Sequence, residues 1–120
     1  MIARPMKAAI SFLGLEPPPP GLPGPLSRPT PEAIGGLLQG GGFSGVEVEE
    51  TDIDFDWASP EEFSTYVREV IAPITRMVES QPEDVQPKAW KAIADDIQDE
   101  ADDDGTIRLS NRVLVAVGQA

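Results

Sequence analysis

Residues 113–117 are apolar at every position, reading Val-Leu-Val-Ala-Val, and no other pattern in the chain is as informative. Because successive strand residues point to opposite faces, a strand with one solvent-facing side should alternate apolar and polar residues. A strand that is apolar on both faces is typical of a sheet that helices cover on both sides. The pattern therefore predicts a C-terminal strand from Ile107 to Gly118. Only one other convincing strand precedes it, so we expect the tail of a larger α/β domain.

The N-terminal part combines two helix signals with a proline-rich segment. Residues 1–15 include a run that is compatible with a short helix, and we assign them to an N-terminal helical segment. Residues 16–29 form a proline-rich linker, because each proline lacks an N–H and fixes φ, which excludes helix and central strand. Thr30 then supplies the N-cap of a second helix, which ends at the glycines of residues 40–42.

The first strand is predicted over about residues 46–55, and its apolar pattern changes phase midway. The two sets of residues that share a face are Val46 with Val48, and Ile53 with Phe55 and Trp57. Two explanations remain open at this point. The strand contains a bulge near Glu50, or its two halves are covered on different sides.

The segment after this strand carries the strongest helical pattern. Ser59 supplies an N-cap, Pro60 occupies the first helical position and Glu62 completes a capping box. Apolar residues then recur at three- and four-residue spacing, namely Phe63, Tyr66, Val67, Val70, Ile71, Ile74, Met77 and Val78. Pro73 deletes one backbone hydrogen bond, so we expect a kink or break within residues 69–72.

A second N-cap signal, at residues 80–83, predicts a further helix. This helix extends through Ile97, weakens in the acidic tract of residues 99–104 and ends at Gly105. The predicted order is therefore helix, proline linker, helix, strand, two helices and strand.

The composition excludes several classes of function. The chain has no cysteine and no histidine, so thiol nucleophiles, cysteine metal sites and Ser-His-Asp triads are absent. Its 9 basic and 21 acidic residues give a formal charge of −12, which repels the phosphate backbone of nucleic acids. No apolar run approaches the ~18 residues that a membrane span requires. We therefore expect a cytoplasmic protein that binds neither nucleic acid nor membrane.

Two motifs have the form of ligand sites but lack the required context. Residues 40–45 satisfy G-x-G-x-x-G, yet a helix precedes them and a strand follows, the reverse of a dinucleotide site. The tract around Asp102 resembles a calcium loop, but alignment on Gly105 places Glu100 and Asn111 at anchor positions that need Asp and Glu. We expect a helix stop and a solvated surface, and we assign no metal site.

Four aromatic residues are candidates for an apolar pocket: Trp57, Phe63, Tyr66 and Trp90. Their helical spacing favours core positions over a pocket. Tyr66 carries the only phenolic hydroxyl in the chain, so it is the best candidate among them for a specific polar contact.

Three segments resemble class I S-adenosylmethionine-dependent methyltransferases that act on small molecules. The last helix and Gly-Phe turn before that family's sixth strand are similar to PEAIGGLLQGGGFSGVEVEE. The helical insertion between its strands six and seven is similar to DFDWASPEEFSTYVREVIAP. Its closing strand, which returns antiparallel into the sheet, is similar to DDDGTIRLSNRVLVAVGQA. The resemblance covers residues 17–120, including the proline-rich run as a variable connector.

The resemblance implies a fold and a role. The fold is the C-terminal part of a Rossmann-like methyltransferase, an antiparallel strand pair with about four helices, in which residues 30–120 carry a helical cap at about 59–104. In that family the cap lies over the methyl-transfer site and shapes the pocket for a small-molecule acceptor. Trp57, Phe63 and Tyr66 are therefore the candidates for the acceptor pocket. They would orient the acceptor, and we assign no catalytic residue.

The same resemblance places the cofactor site outside this chain. In the family, S-adenosylmethionine binds a glycine-rich loop after the first strand and an acidic residue at the end of the second, and no residue here matches either motif. We expect the complete enzyme to use S-adenosylmethionine, and this chain, as a gene fragment or truncated chain, to bind no cofactor and to be inactive alone. The unshielded closing strand also suggests a homodimer or a strand-swapped oligomer.

A second hypothesis belongs to another class of protein. A stand-alone acidic interaction module would use an exposed strand edge to recruit a partner chain by β-augmentation. Both hypotheses depend on one expectation, that residues 113–117 are not fully enclosed by the rest of the chain.

Overall fold

The computed structural model describes residues 2–120 and, within them, contains five α-helices and two strands. The helices are α1 (Ala3–Leu13), α2 (Pro31–Gly40), α3 (Pro60–Val70), α4 (Ala72–Glu79) and α5 (Gln86–Ile97), followed by a 3-10 turn at Gln98–Glu100. The strands are β1 (Ser44–Trp57) and β2 (Ile107–Gln119), which form a two-stranded antiparallel sheet. The predicted mixed α/β class with an antiparallel strand pair is confirmed, with five helices where the sequence predicts about four.

The chain divides into two compact units. The helical unit comprises the described residues up to Pro17 together with Asp54–Leu109, and the sheet unit comprises Pro18–Ile53 and Ser110–Ala120. Helix α1 is thus grouped with α3, α4 and α5, whereas α2 is grouped with most of both strands.

The helical unit is built around a continuous apolar core. Helix α5 packs against α1 and α3, and α4 packs against α1 and α3. The core residues include Phe63, Val67, Ile74, Val78, Ile93, Ile97 and Ile107, all of which are buried. Inside this core, the hydroxyl of Ser64 donates a 2.7 Å hydrogen bond to the carbonyl of Trp90 and so joins α3 to α5. Most of the predicted apolar stripe is therefore confirmed, except that Val70 at the end of α3 is 56% exposed.

Pro73 separates α3 from α4, as predicted. Helix α3 ends at Val70 and α4 begins at Ala72, and between them Ile71 leaves the helical region with φ −99° and ψ 77°. The hydroxyl of Thr75 donates a 2.6 Å hydrogen bond to the carbonyl of Arg68. This bond satisfies an acceptor at the end of α3 that the interrupted helix leaves without its usual donor.

The start of α5 differs from the sequence prediction. The N-cap signal at residues 80–83 predicts a start there, but α5 begins at Gln86, and Val85 makes no side-chain capping bond. The intervening residues form turns, in which the Gln86 side-chain amide donates a 2.9 Å hydrogen bond to the Gln81 carbonyl. Pro87 lies in the first turn of α5, where its missing N–H costs no helical hydrogen bond.

Two glycines of the sheet unit lie next to side chains at the start of β1. Gly35 of α2 is buried, and a Cβ added there would lie 3.5 Å from the Val48 side chain, which is ordinary contact. At Gly118 of β2, an added Cβ would lie 3.0 Å from the Phe43 Cβ and 3.3 Å from a Val46 methyl group. A larger residue at Gly118 would therefore force these side chains to move.

The pairs across the sheet follow one antiparallel register. Gly118 faces Val46, Arg112 Nε lies 3.3 Å from Asp52 Oδ1, and Arg108 Nε lies 3.6 Å from Asp56 Oδ1. A bulge near Glu50 would shift this series by one residue, so the bulge explanation for the change of phase is not supported. The half-buried or buried positions of β1 are Val46 and Val48 in its first half and Phe55 and Trp57 in its second. The second explanation is therefore supported. The strand is uninterrupted, and its two halves are buried on opposite faces.

The N-terminal cap of α3 gives the first prediction. It differs from the predicted capping box, because the Glu62 carboxylate bonds to the N–H of Ala58, one residue before the N-cap Ser59. Ser59 Oγ accepts a 3.1 Å hydrogen bond from the Glu62 N–H, while the Glu62 carboxylate accepts one from the Ala58 N–H. Ser59→Ala should lower the free energy of unfolding by about 1 kcal/mol, since an N–H at the helix start loses its partner. Urea denaturation measures this change.

Thr65→Ala is the matched control, because Thr65 lies on the exposed side of the same helix and its hydroxyl donates a 3.0 Å hydrogen bond to the carbonyl of Glu61 in the preceding turn. We expect a change within about 0.5 kcal/mol. Equal losses in the two variants would contradict the capping role of Ser59.

Candidate functional site

The three predicted pocket residues lie together in the helical unit. Trp57 ends β1, and Phe63 and Tyr66 lie one turn apart on α3. The Trp57 and Phe63 ring centroids are 4.8 Å apart in an edge-to-face arrangement, and those of Trp57 and Tyr66 are 5.2 Å apart. The Trp57 ring therefore contacts the rings of both other candidates, and we call these three residues the aromatic cluster.

The exposure of these residues divides them into two kinds. Trp57 is 6% exposed and Phe63 1% exposed, and both belong to the apolar core, whereas Tyr66 is half-buried at its margin. Edge-to-face packing of buried rings stabilises a core beyond the area it buries. Of the three, Tyr66 is the residue with surface available to a ligand, and the acceptor-pocket role of the set stays a prediction.

A concavity of about 670 Å³ lies between α1 and α5, and none of the three aromatic candidates lines it. Its wall includes Arg4, Lys7 and Phe12 from α1 and Asp96 from α5. Phe12 is 45% exposed, so the opening is partly apolar. Arg4 points its guanidinium at carboxylates rather than into open solvent.

Arg4 links α1 to the end of α5 through hydrogen bonds and ion pairs. Its Nε lies 3.0 Å from Asp96 Oδ2 and its Nη1 lies 2.7 Å from Glu100 Oε1, and Nη2 contacts Asp99 and donates to the Asp96 carbonyl. Burial by itself lowers the pKa of the Arg4 guanidinium, but the hydrogen bonds to the three carboxylates outweigh it and raise the pKa overall. The positive charge compensates acidic residues that lie unfavourably near the C-terminus of α5. No local sequence pattern indicates this cluster, because Arg4 and the carboxylates that it contacts are more than 90 residues apart in sequence.

The sheet unit has an uncovered apolar surface. Three apolar side chains of the sheet are substantially exposed: Ile53 by 43%, Val115 by 48% and Val117 by 62%. Val113 is half-buried, and with these three it forms what we call the apolar stripe, Ile53, Val113, Val115 and Val117. The expectation that residues 113–117 are not fully enclosed is confirmed. Among residues 2–120, neither strand has a second neighbour, so each also has one open edge.

The glycine-rich segment does not fit a nucleotide. Helix α2 ends at Gly40, and β1 begins at Ser44, so a helix C-terminus and not an N-terminus faces the loop. Gly42 has φ 91°, which favours glycine and reverses the chain after the helix. A dinucleotide phosphate needs the N–H groups of a helix start, so these residues do not fit the pyrophosphate of a dinucleotide cofactor.

The acidic tract is held by local hydrogen bonds. Within residues 2–120, no group of three or more carboxylates lies close enough together to hold a cation. Asp104 instead accepts a 3.0 Å hydrogen bond from the Thr106 N–H, and the Asp102 N–H donates to the Thr106 carbonyl at 2.9 Å. These bonds form a turn that leads into β2.

No family model matches this chain, and no curated protein or solved structure shows a significant match to it. The resemblance to methyltransferases therefore stays a prediction. None of the helices within residues 2–120 combines the length and apolar character needed to cross a bilayer.

The aromatic cluster gives the second prediction. Phe63→Ala should lower the free energy of unfolding by about 3–5 kcal/mol, because it leaves a cavity in the core between β1 and α3. Tyr66→Phe, which keeps the ring and removes only the hydroxyl, should change it by less than about 0.5 kcal/mol. Chemical denaturation of the two variants tests this. A cost below about 1 kcal/mol for Phe63→Ala would show that the cluster is not a packed core.

The turn before β2 gives the third prediction. The hydrogen bond from the Thr106 N–H lowers the pKa of the Asp104 carboxyl below 3.8. The pKa of this carboxyl is lower in the folded than in the unfolded state, so its ionised form stabilises the fold. This stabilisation is complete at pH values above the unfolded pKa and is lost as the pH falls through the folded pKa. The difference in stability between the wild type and Asp104→Asn should thus shrink as the pH falls below about 4. Carboxyl NMR titration checks the direction, and a midpoint above 3.8 would contradict it.

Proposed function

We propose that this chain is the acceptor-side segment of a class I S-adenosylmethionine-dependent methyltransferase fold. The order of elements supports the proposal. A helix and a glycine turn precede β1, three helices follow it, and β2 then pairs antiparallel with β1. The family resemblance implies this arrangement for the last two strands and the helices inserted between them.

The observation that carries the proposal is the exposure of β2. Val115 and Val117 are about half exposed or more, although β2 has the all-apolar sequence of a strand covered on both faces. Further strands and helices that flank β2 would remove this exposure, and the methyltransferase fold supplies both.

Within this proposal the aromatic cluster has two roles. Tyr66 contacts the methyl acceptor from the helical side, because its ring lies at the margin of the core and its hydroxyl can donate or accept a hydrogen bond. Trp57 and Phe63 fix the position of α3 beneath it by packing. Methyl transfer by in-line displacement depends chiefly on such positioning.

The fourth prediction tests this proposal by calorimetry. These 120 residues alone should show no saturable binding of S-adenosylmethionine tighter than about 1 mM, since no residue of the sequence matches the cofactor-binding motifs of the family it resembles. S-adenosylhomocysteine, titrated in parallel, should behave in the same way. Saturable micromolar binding of either ligand would contradict the proposal.

The second candidate is an acidic interaction module that adds a strand from another chain to its sheet. The uneven distribution of charge over the two strands favours it, because β2 offers an edge without any carboxylate. Main-chain hydrogen bonds along such an edge supply affinity for an added strand. In this case too, the chain acts through β2, and the neighbouring strand comes from a second polypeptide.

A further inference from the structure

The two strands carry opposite charges in a chain that is acidic overall. Strand β1 contains six carboxylates and no basic residue, namely Glu47, Glu49, Glu50, Asp52, Asp54 and Asp56. Strand β2 contains Arg108 and Arg112 and no acidic residue, and from Val113 to Gln119 it has no charged side chain. The formal charge of the whole chain is −12.

This distribution protects one edge of the sheet and leaves the other open. Charged side chains along an edge strand repel further strands, and proteins use them to prevent unwanted pairing. An incoming strand from a second copy would meet the carboxylates of β1. At β2 it would meet an uncharged apolar segment, because Arg112 is already engaged by Glu50 at 3.7 Å and Asp52 at 3.3 Å.

We infer that a second copy of this chain pairs antiparallel with β2 around a two-fold axis at Val115, an inference that rests on the strand-addition candidate. In this register Val115 lies opposite its own equivalent, and Val113 lies opposite Val117. Leu114 lies opposite Ala116. The two ribbons then form one four-stranded sheet.

The sequence of β2 suits this symmetric pairing. A two-fold interface places the same patch of both subunits in contact, so the patch must be complementary to itself. Leu114 opposite Ala116 sets a large residue beside a small one, and the valine pairs bring β-branched side chains together. Arg112 falls opposite Gly118, which has no side chain to clash with it. No like charges meet along the central segment.

The experiment introduces opposite charges at Val115, which is 48% exposed and so tolerates a polar residue. Analytical ultracentrifugation over a concentration series measures the dissociation constant, and circular dichroism verifies folding. Because residue 115 faces itself in the dimer, Val115→Lys alone and Val115→Glu alone should each weaken the dimer at least about tenfold. An equimolar mixture of the two variants should restore dimerisation, because Lys then faces Glu.

Ile53→Lys and Ile53→Glu are the matched controls. Ile53 is 43% exposed and belongs to the same apolar stripe, but it lies on β1 and not on the edge that pairs. These two variants should dimerise like the wild type, and mixing them should change nothing. Loss of the dimer in the Ile53 variants to the same degree as in the Val115 variants would overturn the inference.

Two further outcomes would also overturn it. One is a wild-type chain that stays monomeric at the highest concentration reached, and the other is a mixture of the Val115 variants that fails to recover. Raising the salt concentration from a low-salt buffer to about 0.15 M should lower the dissociation constant of the wild-type dimer, since screening reduces the repulsion between two acidic copies. Failure here leaves the methyltransferase proposal untouched, because calorimetry with S-adenosylmethionine measures cofactor binding independently of self-association.

Discussion

The pairing of β1 with β2 determines how the middle of the chain folds. The two strands are separated in sequence by α3, α4 and α5, so their pairing closes this segment into a loop. Closing a loop costs entropy, and the cost grows only slowly with length. Packing inside the helical unit offsets this cost, because Trp57 at the end of β1 and Ile107 at the start of β2 are both buried in its core.

Ion pairs place arginines beside some of the excess carboxylates, but each exposed pair contributes little to stability. Arg108 and Arg112 of β2 approach carboxylates of β1 at 3.3 to 3.7 Å, and both arginines are about two-thirds exposed. Exposed pairs of this kind contribute little, typically about 0–1 kcal/mol each. The Arg4 cluster is different, since one guanidinium engages three carboxylates and a carbonyl and is itself less exposed. This cluster holds α1 in place against α5.

The two units differ in how far their apolar side chains are buried. The aromatic residues of the helical unit are largely satisfied by one another, so only Tyr66 retains surface for a ligand. The sheet unit, in contrast, leaves the apolar stripe exposed, with Ile53, Val115 and Val117 between 43% and 62% exposed. The methyltransferase proposal covers this surface with further elements of the same fold, whereas the interaction-module proposal uses the open edge of β2 beside it and extends the sheet with a strand from another chain.

The sequence by itself determined the features that depend on local chemistry. The caps at Thr30 and Ser59 and the break at Pro73 follow from hydrogen bonds and steric constraints within a few residues. The periodic spacing of apolar residues on α3 and α4 predicted the core face for the same reason. The local signal was misleading at residues 80–83, where a capping pattern occurs in a turn and α5 begins only at Gln86.

Only the tertiary structure decided the features that join distant residues. The Arg4 cluster, the close approach of Phe43 to Gly118 and the exposure of Val70 depend on which elements pack together, and no local pattern encodes this. The same holds for the change of burial phase in β1, where the sequence left a bulge and differential cover equally open. Local propensity acts over a few residues, whereas burial depends on neighbours that the fold brings from elsewhere in the chain.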